Sequence, residues 1–349
     1  MGRRKMTCRK GGIVRLSVLD QSPIREGGTA GEALRETVEL ARRAEAFGYD
    51  RFWIAEHHGS AGLASSAPEI LIGQVAAHTS TIKVGSGGVM LSHYSPLKVA
   101  EQFKMLEALY PGRINLGIGR APGSSQRHAT ALEHGPGSLA LEYYPLQVED
   151  LLYYLADEMP EDHPFHDIKA TPSVEGMPEV WCLGSSLDSA VIAADLGLPF
   201  TFAQFINPDG GERAMQVYRR KFQPSKWFPE PRASVATAAL AADTDEEAIR
   251  LSWSRYCMRF RRGLGVPSVE TAMAFEYSEP EIAYIEYTRS RAALGHPEAV
   301  KEKLNALAAD FEVDELILHT ITYDFDARVR SYQLVAEAYG LTPPAGTDA

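Results

Sequence analysis

A glutamate and two histidines stand side by side at the end of an apolar, aromatic run, in the segment WIAEHHGSAG (53–62). These side chains could form a metal site, act as a catalytic base, or be a polar strand end without chemistry. In a strand, neighbouring side chains point to opposite faces, so Glu56 and His58 would share one side and His57 would face the other. The three side chains therefore cannot simply chelate one ion together.

Small and polar residues also follow three other apolar runs, in the stretches SGGVMLSHYSP (86–96), GIGRAPGSS (117–125) and GSSLDS (184–189). The second contains G-x-G, but proline stands where a dinucleotide-binding fingerprint has its third glycine, so a Rossmann site is disfavoured. Glycines at such a position more often serve a tight turn or the close approach of a flat ligand to the backbone.

The GSSLDS stretch allows two interpretations. It could be a simple helix N-cap, with Ser185 and Asp188 forming a pair that resembles a capping box. The free amides and positive end of a helix also suit an anion, and a neighbouring arginine such as Arg120 would strengthen that site. In this second interpretation the residues that hold a phosphate are Gly184, Ser185, Ser186 and Ser189.

The elements that must position these residues alternate along the chain. Eight apolar, strand-like segments are each followed by a segment with helical periodicity. The predicted strands are IVRLSVL (13–19), RFWIAE (51–56), IKVGSGGVML (82–91), RINLGIG (113–119), EVWCLG (179–184), FTFAQF (200–205), ASVATAALAAD (233–243) and DELILHTIT (314–322).

Eight apolar strands that alternate with helices predict a parallel, closed (β/α)8 TIM barrel, with a doubly wound open sheet as the alternative. In a barrel, function sits where the strands run into the following loops, and all four polar stretches fall there. We expect one barrel domain at 13–342, a disordered basic leader at 1–12 and a flexible tail at 343–349. Insertions follow strand four, at 157–178, and strand seven, where 260–291 would form a mobile lid.

Composition limits the classes of partner. The chain has 349 residues, a formal net charge of -11 and a pI near 5.5, which argues against a general nucleic-acid binder and favours small ligands. Its three cysteines, Cys8, Cys182 and Cys257, form no C-x-x-C motif, as is typical of a cytoplasmic protein without a zinc knuckle. No apolar run approaches the ~20 residues of a membrane helix, so no membrane span is expected.

Four ordered motifs together resemble the luciferase-like flavin monooxygenases, a superfamily related to bacterial luciferase. They are LDQSPI, GYDRFWIAEHH, IKVGSGGVMLSHYSPLKVAEQFKMLEALYPGRINLGIGRAPG and VWCLGSSLDSA, and the resemblance runs from about Arg15 to Gly340. It is closest to the single-chain branch that uses FMN, and it implies the bacterial-luciferase-like barrel. It also implies a homodimer and reduced FMN supplied by a separate flavin reductase. With O2, a flavin C4a-hydroperoxide would oxygenate a small organic substrate.

The resemblance also implies residue roles. His57 would lie over the flavin and assist oxygen chemistry or proton transfer, with Glu56 and His58 as supporting neighbours. A cis peptide beneath the flavin ring corresponds to Gly87 and Gly88. The residues implied to bind the cofactor are Gly87, Gly88, Val89, Arg120, Gly184, Ser185, Ser186 and Ser189, and no metal ligand is among them.

One departure from the light-emitting subunit concerns its reactive cysteine, which is replaced here by Gly119. Light emission and a long-chain aldehyde substrate therefore do not follow from the resemblance. Three other functions remain open. They are a coenzyme F420-dependent dehydrogenase of the same fold, a non-catalytic flavin-binding protein, and a flavin-free metallohydrolase, which the absence of H-x-H disfavours.

Overall fold

The structure is a computed structural model, and it describes residues 14–120, 126–132, 141–261 and 263–343. The predicted leader and all but the first residue of the predicted tail lie outside the described residues.

Eight parallel strands close into a barrel. These eight are β1 (Arg15–Asp20), β2 (Arg51–Ile54), β3 (Lys83–Met90), β4 (Ile114–Gly119), β5 (Glu179–Gly184), β6 (Phe200–Ala203), β7 (Ala233–Ala241) and β9 (Glu315–His319), and a ninth, short strand is β8 (Ala293–Gly295). From β1 to β7 each strand pairs with the next along the chain, the ring closes where β9 pairs with both β7 and β1, and β8 pairs with the end of β7. The predicted barrel is therefore confirmed, and the alternative of an open, doubly wound sheet is wrong.

Helices surround this barrel, and the first shows how local sequence sets their ends. Thr29 and Glu32 form a capping box at its start, and Gly48 ends it in the left-handed conformation, with φ 87°. The helices are α1 (Ala30–Phe47), α2 (Pro68–Ala77), α3 (Pro96–Leu109), α4 (Gln126–Leu132), α5 (Tyr144–Ala156), α6 (Leu187–Asp195), α7 (Gly211–Lys221), α8 (Asp245–Phe260), α9 (Val269–Met273), α10 (Glu279–Ser290), α11 (Pro297–Asp310) and α12 (Phe325–Tyr339).

The two insertions differ in character. Residues 157–178, after α5, contain neither helix nor strand, as predicted. The region after β7 is more regular than expected, because the segment predicted as a lid folds into α9 and α10. The structure then adds the short strand β8, which pairs with the end of β7, and the helix α11 before the eighth barrel strand. Strict alternation of eight strands and eight helices was thus wrong in this region.

A charged side chain fills the amino end of the barrel. Arg51, at the start of β2, is fully buried. Its guanidinium lies 2.7 Å from a carboxylate oxygen of Glu315 and 3.0 Å from one of Glu179, and it donates to the Asn115 amide oxygen at 3.0 Å. Burial opposes the ionisation of Glu179, but the charges of Arg51 and Arg232 outweigh it and lower the pKa of Glu179 to about 2.

Two tryptophans pack directly on this network inside the barrel. Trp53 and Trp181 meet edge to face at 5.8 Å, and the Arg51 guanidinium lies 5.7 Å and 5.1 Å from their ring centroids. Trp53 also donates to Asn115 at 3.3 Å. The amino half of the barrel is therefore solid, and open space is left to its carboxyl end.

We predict that Arg51→Met lowers the free energy of unfolding by about 3–5 kcal/mol, because it leaves the buried carboxylates of Glu315 and Glu179 without their main counter-charge. Urea denaturation measures this loss. The matched control is Arg43→Met, which removes an exposed arginine paired with Glu39 and should change stability by less than about 0.5 kcal/mol. Equal effects of the two substitutions would contradict a structural role for Arg51.

Candidate active site

A cavity of about 520 Å³ opens at the carboxyl ends of the barrel strands. It brings together most of the residues that the sequence singled out. Nine of them line it, namely Glu56, His57, Gly87, Gly88, Arg120, Gly184, Ser185, Ser186 and Ser189. Of the remaining two, Val89 is buried in β3 and His58 lies behind Glu56, so neither lines the cavity.

Bare backbone forms one wall of this cavity. The peptide bond between Gly87 and Gly88 is cis, as predicted. Neither residue has space for a side chain, because a Cβ on Gly87 would lie 2.5 Å from Leu19 Cδ1 and one on Gly88 would lie 2.6 Å from the Gly117 carbonyl oxygen. The two glycines therefore present a flat surface on which a planar group can lie.

The start of α6 forms a polar end of the cavity. The N-cap is Ser186, which accepts from the Ser189 amide at 3.2 Å, so the predicted cap at Ser185 is wrong by one residue. The hydroxyl oxygens of Ser186 and Ser189 lie 3.0 Å apart. Arg120 also faces this end, and among the described residues its one ion pair, to the exposed Asp188, spans 4.0 Å. Helix amides, two hydroxyls and an arginine together suit an anion.

Gly184 explains how the helix comes so close to its strand. A Cβ at this position would lie 2.2 Å from the Ser189 Cβ, a distance that folded proteins do not allow. Only glycine at the end of β5 therefore lets the first turn of α6 reach the rim of the cavity.

His57 is held by a partner that the sequence reasoning did not assign. The Gln21 amide nitrogen lies 3.4 Å from His57 Nε2, and the Gln21 amide oxygen accepts from His319 Nε2 at 2.9 Å. Because His57 Nε2 accepts this hydrogen bond, the proton of the neutral ring lies on Nδ1. That buried Nδ1 has no hydrogen-bond partner among the described residues.

Both histidines are held in the neutral form. Burial, and then the nearby His58, lower the pKa of His57 to about 4. Burial also places the pKa of His319 well below its ordinary value, and the charge of Arg255 adds to this effect. The sequence did place His319 at the end of the eighth barrel strand, which was the available signal for its role.

Glu56 and His58 form a separate cluster with Tyr94. Glu56 Oε1 lies 2.6 Å from His58 Nε2 and accepts from the Tyr94 hydroxyl at 2.7 Å, while Glu56 Oε2 accepts from the Met90 amide at 3.1 Å. His57 turns the other way, toward Gln21. The predicted alternation is confirmed, and the three side chains do not converge on one point.

A second cavity, of about 350 Å³, adjoins the first. The two share Gln21, Phe205 and Ile206, and the second extends beneath α8 and α10. Three of its lining residues, Tyr284, Thr288 and Arg291, lie in the segment 260–291 that the sequence predicted as a lid. Over the described parts of the chain, no group of three or more histidine, cysteine, aspartate or glutamate side chains is placed to hold a metal ion. No helix there is both long and apolar enough to cross a bilayer.

Comparison with known proteins identifies the family. The model of the luciferase-like monooxygenases matches residues 14–315. The chain belongs to the luciferase-like monooxygenase family. The uncharacterized protein YwcH of Bacillus subtilis is 46% identical to it over 94% of this chain and 99% of the relative. The N-acetyl-S-alkylcysteine monooxygenase of the same organism is 39% identical over 93% and 98% of the two chains.

Solved structures agree with this assignment to the luciferase-like family. Apo-MsnO8 superimposes with a TM-score of 0.85 at 39% identity, covering 95% of this chain and 99% of that one. Two more distant structures share the fold. The oxygenating constituent of 3,6-diketocamphane monooxygenase from Pseudomonas putida, in complex with FMN, has a TM-score of 0.69 at 21% identity, with 95% and 98% covered. An F420-dependent secondary alcohol dehydrogenase has a TM-score of 0.58 at 14% identity, with 93% and 99% covered.

We predict that His57 of this luciferase-like protein stays neutral through the range near pH 6.5 in which an ordinary histidine titrates, and gains its proton only near pH 4. Since the folded pKa lies below the unfolded one, the contribution of His57 to stability is complete above about pH 6.5 and is lost as the pH falls toward 4. Histidine NMR against pH measures the titration, and His57→Gln assigns the resonance. Titration of this ring near 6.5 would contradict the described environment.

Proposed function

We propose that the protein is a monooxygenase that uses reduced FMN and O2 to oxygenate a small organic substrate. The observation that carries this proposal is a single cavity with a flat backbone wall and an anion-binding end. A planar ring that carries a phosphate on a flexible tail matches that combination. Membership of the luciferase-like monooxygenase family supports the same conclusion.

The residues present fit FMN. Gly87 and Gly88 would lie against the ring, since no side chain separates it from the backbone. Ser186, Ser189 and Arg120 would hold the phosphate together with the free amides of α6. The apolar part of the lining would keep water from the ring, and it includes Leu19, Trp53, Leu183, Phe205 and Ile317.

Bound reduced FMN would supply the two electrons that let one atom of O2 enter the substrate while the other leaves as water. The contribution of this chain is orientation and proton control. His57 lines the cavity in its neutral form, where it would assist proton transfer, and Gln21 fixes the orientation of its ring. Glu56, His58 and Tyr94 would support the loop that positions His57.

We further propose that the enzyme works in the cytoplasm and receives reduced FMN from a separate flavin reductase. The supporting observation for the first point is the absence of paired cysteine motifs from the sequence. The second rests on the family resemblance. Coenzyme F420 is the alternative cofactor, because an F420-dependent enzyme shares the fold, but at lower identity than the FMN complex.

Titration of the purified protein with FMN and, separately, with F420 tests the cofactor, and release of bound FMN by denaturation gives its stoichiometry. Tight binding of FMN alone is the expected result, followed by O2 uptake when a flavin reductase and NADH are added. Preference for F420 would instead favour the dehydrogenase. FMN binding without any effect of the protein on reoxidation of reduced FMN would favour a non-catalytic flavin-binding protein.

Two substitutions should separate chemistry from binding. His57→Ala should leave FMN affinity nearly unchanged but lower turnover by about 10²–10⁴-fold, the usual contribution of general acid–base help. Arg120→Ala should weaken FMN binding by about 1.5–3 kcal/mol, the range for a charged hydrogen bond. Flavin titration and single-turnover kinetics measure both effects. His78→Ala, which removes an exposed histidine, is the control. Wild-type kinetics in His57→Ala would mean that His57 is a polar residue at a strand end with no catalytic role.

We also propose a homodimer that buries helices from the first half of the barrel. Large apolar side chains are exposed there, with Ile70 68%, Met105 55% and Leu109 65% accessible on α2 and α3. Sedimentation equilibrium should give twice the chain mass of 38.3 kDa. The double variant Ile70→Glu, Leu109→Glu should shift the protein toward monomer. A wild-type mass of one chain at micromolar concentration would contradict the proposal.

A further inference from the structure

The second cavity has the position of a substrate chamber. It meets the proposed FMN cavity at Gln21, Phe205 and Ile206, so a molecule in it would have one end beside the cofactor. Its outer wall comes from α8, the helix that follows β7, and from α10, which belongs to the insertion at 260–291. This insertion lies outside the regular barrel pattern, and such segments commonly carry specificity in this architecture.

The charge of this chamber is opposite to that of the whole chain. Its lining contains three arginines, Arg255, Arg259 and Arg291, and no aspartate or glutamate from the described residues. The chain as a whole has 46 acidic and 35 basic residues. A cluster of positive side chains in an acidic protein therefore marks this cavity as a place for a negative ligand.

Arg255 is the half-buried arginine of this lining that has no acidic partner. Arg291 pairs with Asp209 at 3.2 Å, whereas neither Arg255 nor Arg259 makes a hydrogen bond or ion pair with any residue in the described ranges, and Arg259 is exposed. The Arg255 guanidinium lies 5.7 Å from the ring centroid of Tyr256, and it borders the cavity. The Arg255 side chain is half-buried, and this burial lowers its pKa.

A half-buried cation that borders a cavity and has no carboxylate partner favours an anionic ligand, because the anion can supply the missing counter-charge and hydrogen bonds. A carboxylate matches the planar fork of a guanidinium with two parallel hydrogen bonds. Tyr256 and Thr288 also line the chamber, but the Thr288 hydroxyl already donates to the Tyr284 carbonyl oxygen at 2.8 Å, so Arg255 is left as the main donor to such a group. The rest of the lining is largely apolar, with Phe205, Ile206, Met258 and Ile321.

We propose that the substrates of this enzyme are small organic carboxylates whose acid group binds Arg255 and whose apolar remainder extends past Phe205 toward the FMN cavity. This inference rests on the proposed function only in calling the ligand a substrate. Binding of the anion does not itself depend on catalysis. It assigns Arg255 as a specificity-determining residue. A chamber of about 350 Å³ restricts the ligand to a compact molecule.

Binding to the FMN-free full chain tests the proposal. The probes are acetate, butyrate, hexanoate and phenylacetate, each compared with the primary amide of the same acid by calorimetry. The larger carboxylates should bind at least about tenfold more tightly than their amides, equivalent to about 1.4 kcal/mol. Arg255→Met should abolish that preference. Arg250→Met should retain it, because Arg250 lies on the same helix but is exposed and paired with Glu247.

Several outcomes would overturn the proposal. One is that the wild type binds carboxylates no more tightly than amides, or binds none of the probes. Another is that Arg255→Met keeps the wild-type preference for carboxylates. Displacement of phenylacetate by FMN would also overturn it, because both ligands would then share one site. If Arg255→Met does not fold, Arg255→Gln removes the charge with less loss of polarity and carries the same expectation.

The same samples keep the two proposals distinguishable. FMN titration of the wild type and of Arg255→Met should give equal affinities, since Arg255 does not line the FMN cavity. Failure of FMN to bind, together with an intact carboxylate preference, would overturn the proposed cofactor and leave the anion site in place. Normal FMN binding without any carboxylate preference would overturn the anion site and leave the proposed cofactor in place.

Discussion

A buried network around Arg51 holds the strands of this barrel together at its amino end. A barrel of eight parallel strands must be filled along its axis, and here its amino end is filled by a guanidinium bound to Glu315, Glu179 and Asn115. These acceptors come from three other strands, so one side chain of β2 ties together distant parts of the ring. Removal of the arginine would leave buried carboxylates unpaired, which is why the network is specific as well as stabilising.

The Arg51 network and the candidate active site are linked by the alternation of side chains along β2. Residues 51, 53, 55 and 57 turn toward the barrel axis, so β2 and the residues after it place Arg51 at the bottom, Trp53 above it and His57 at the cavity. Trp53 packs below Gly87, because a Cβ added to Gly87 would lie 3.2 Å from the Cβ of Trp53. The barrel interior is therefore built in consecutive layers. The Arg51 network lies at the amino end, and the glycine wall and His57 lie above it at the cavity.

Sequence patterns predicted the elements better than the contacts between them. Apolar strands in alternation with helices were sufficient for the barrel, and the period of two was sufficient to separate His57 from Glu56 and His58. The burial of Arg51 was not predictable, because its partners Glu179 and Glu315 lie 128 and 264 residues away. The same holds for His57, whose link to His319 passes through Gln21 and spans the whole chain. The helix α11 was missed because strict alternation left no place for it.

We propose that the cavity at the strand ends holds FMN with its ring against Gly87 and Gly88 and its phosphate at the start of α6. A crystal structure of the protein with FMN is the decisive test. We expect the phosphate within hydrogen-bond distance of Ser186, Ser189 and Arg120, and the ring within van der Waals contact of the glycine pair with His57 facing it. FMN bound in the arginine-lined chamber, or with its phosphate away from α6, would rule out this binding mode.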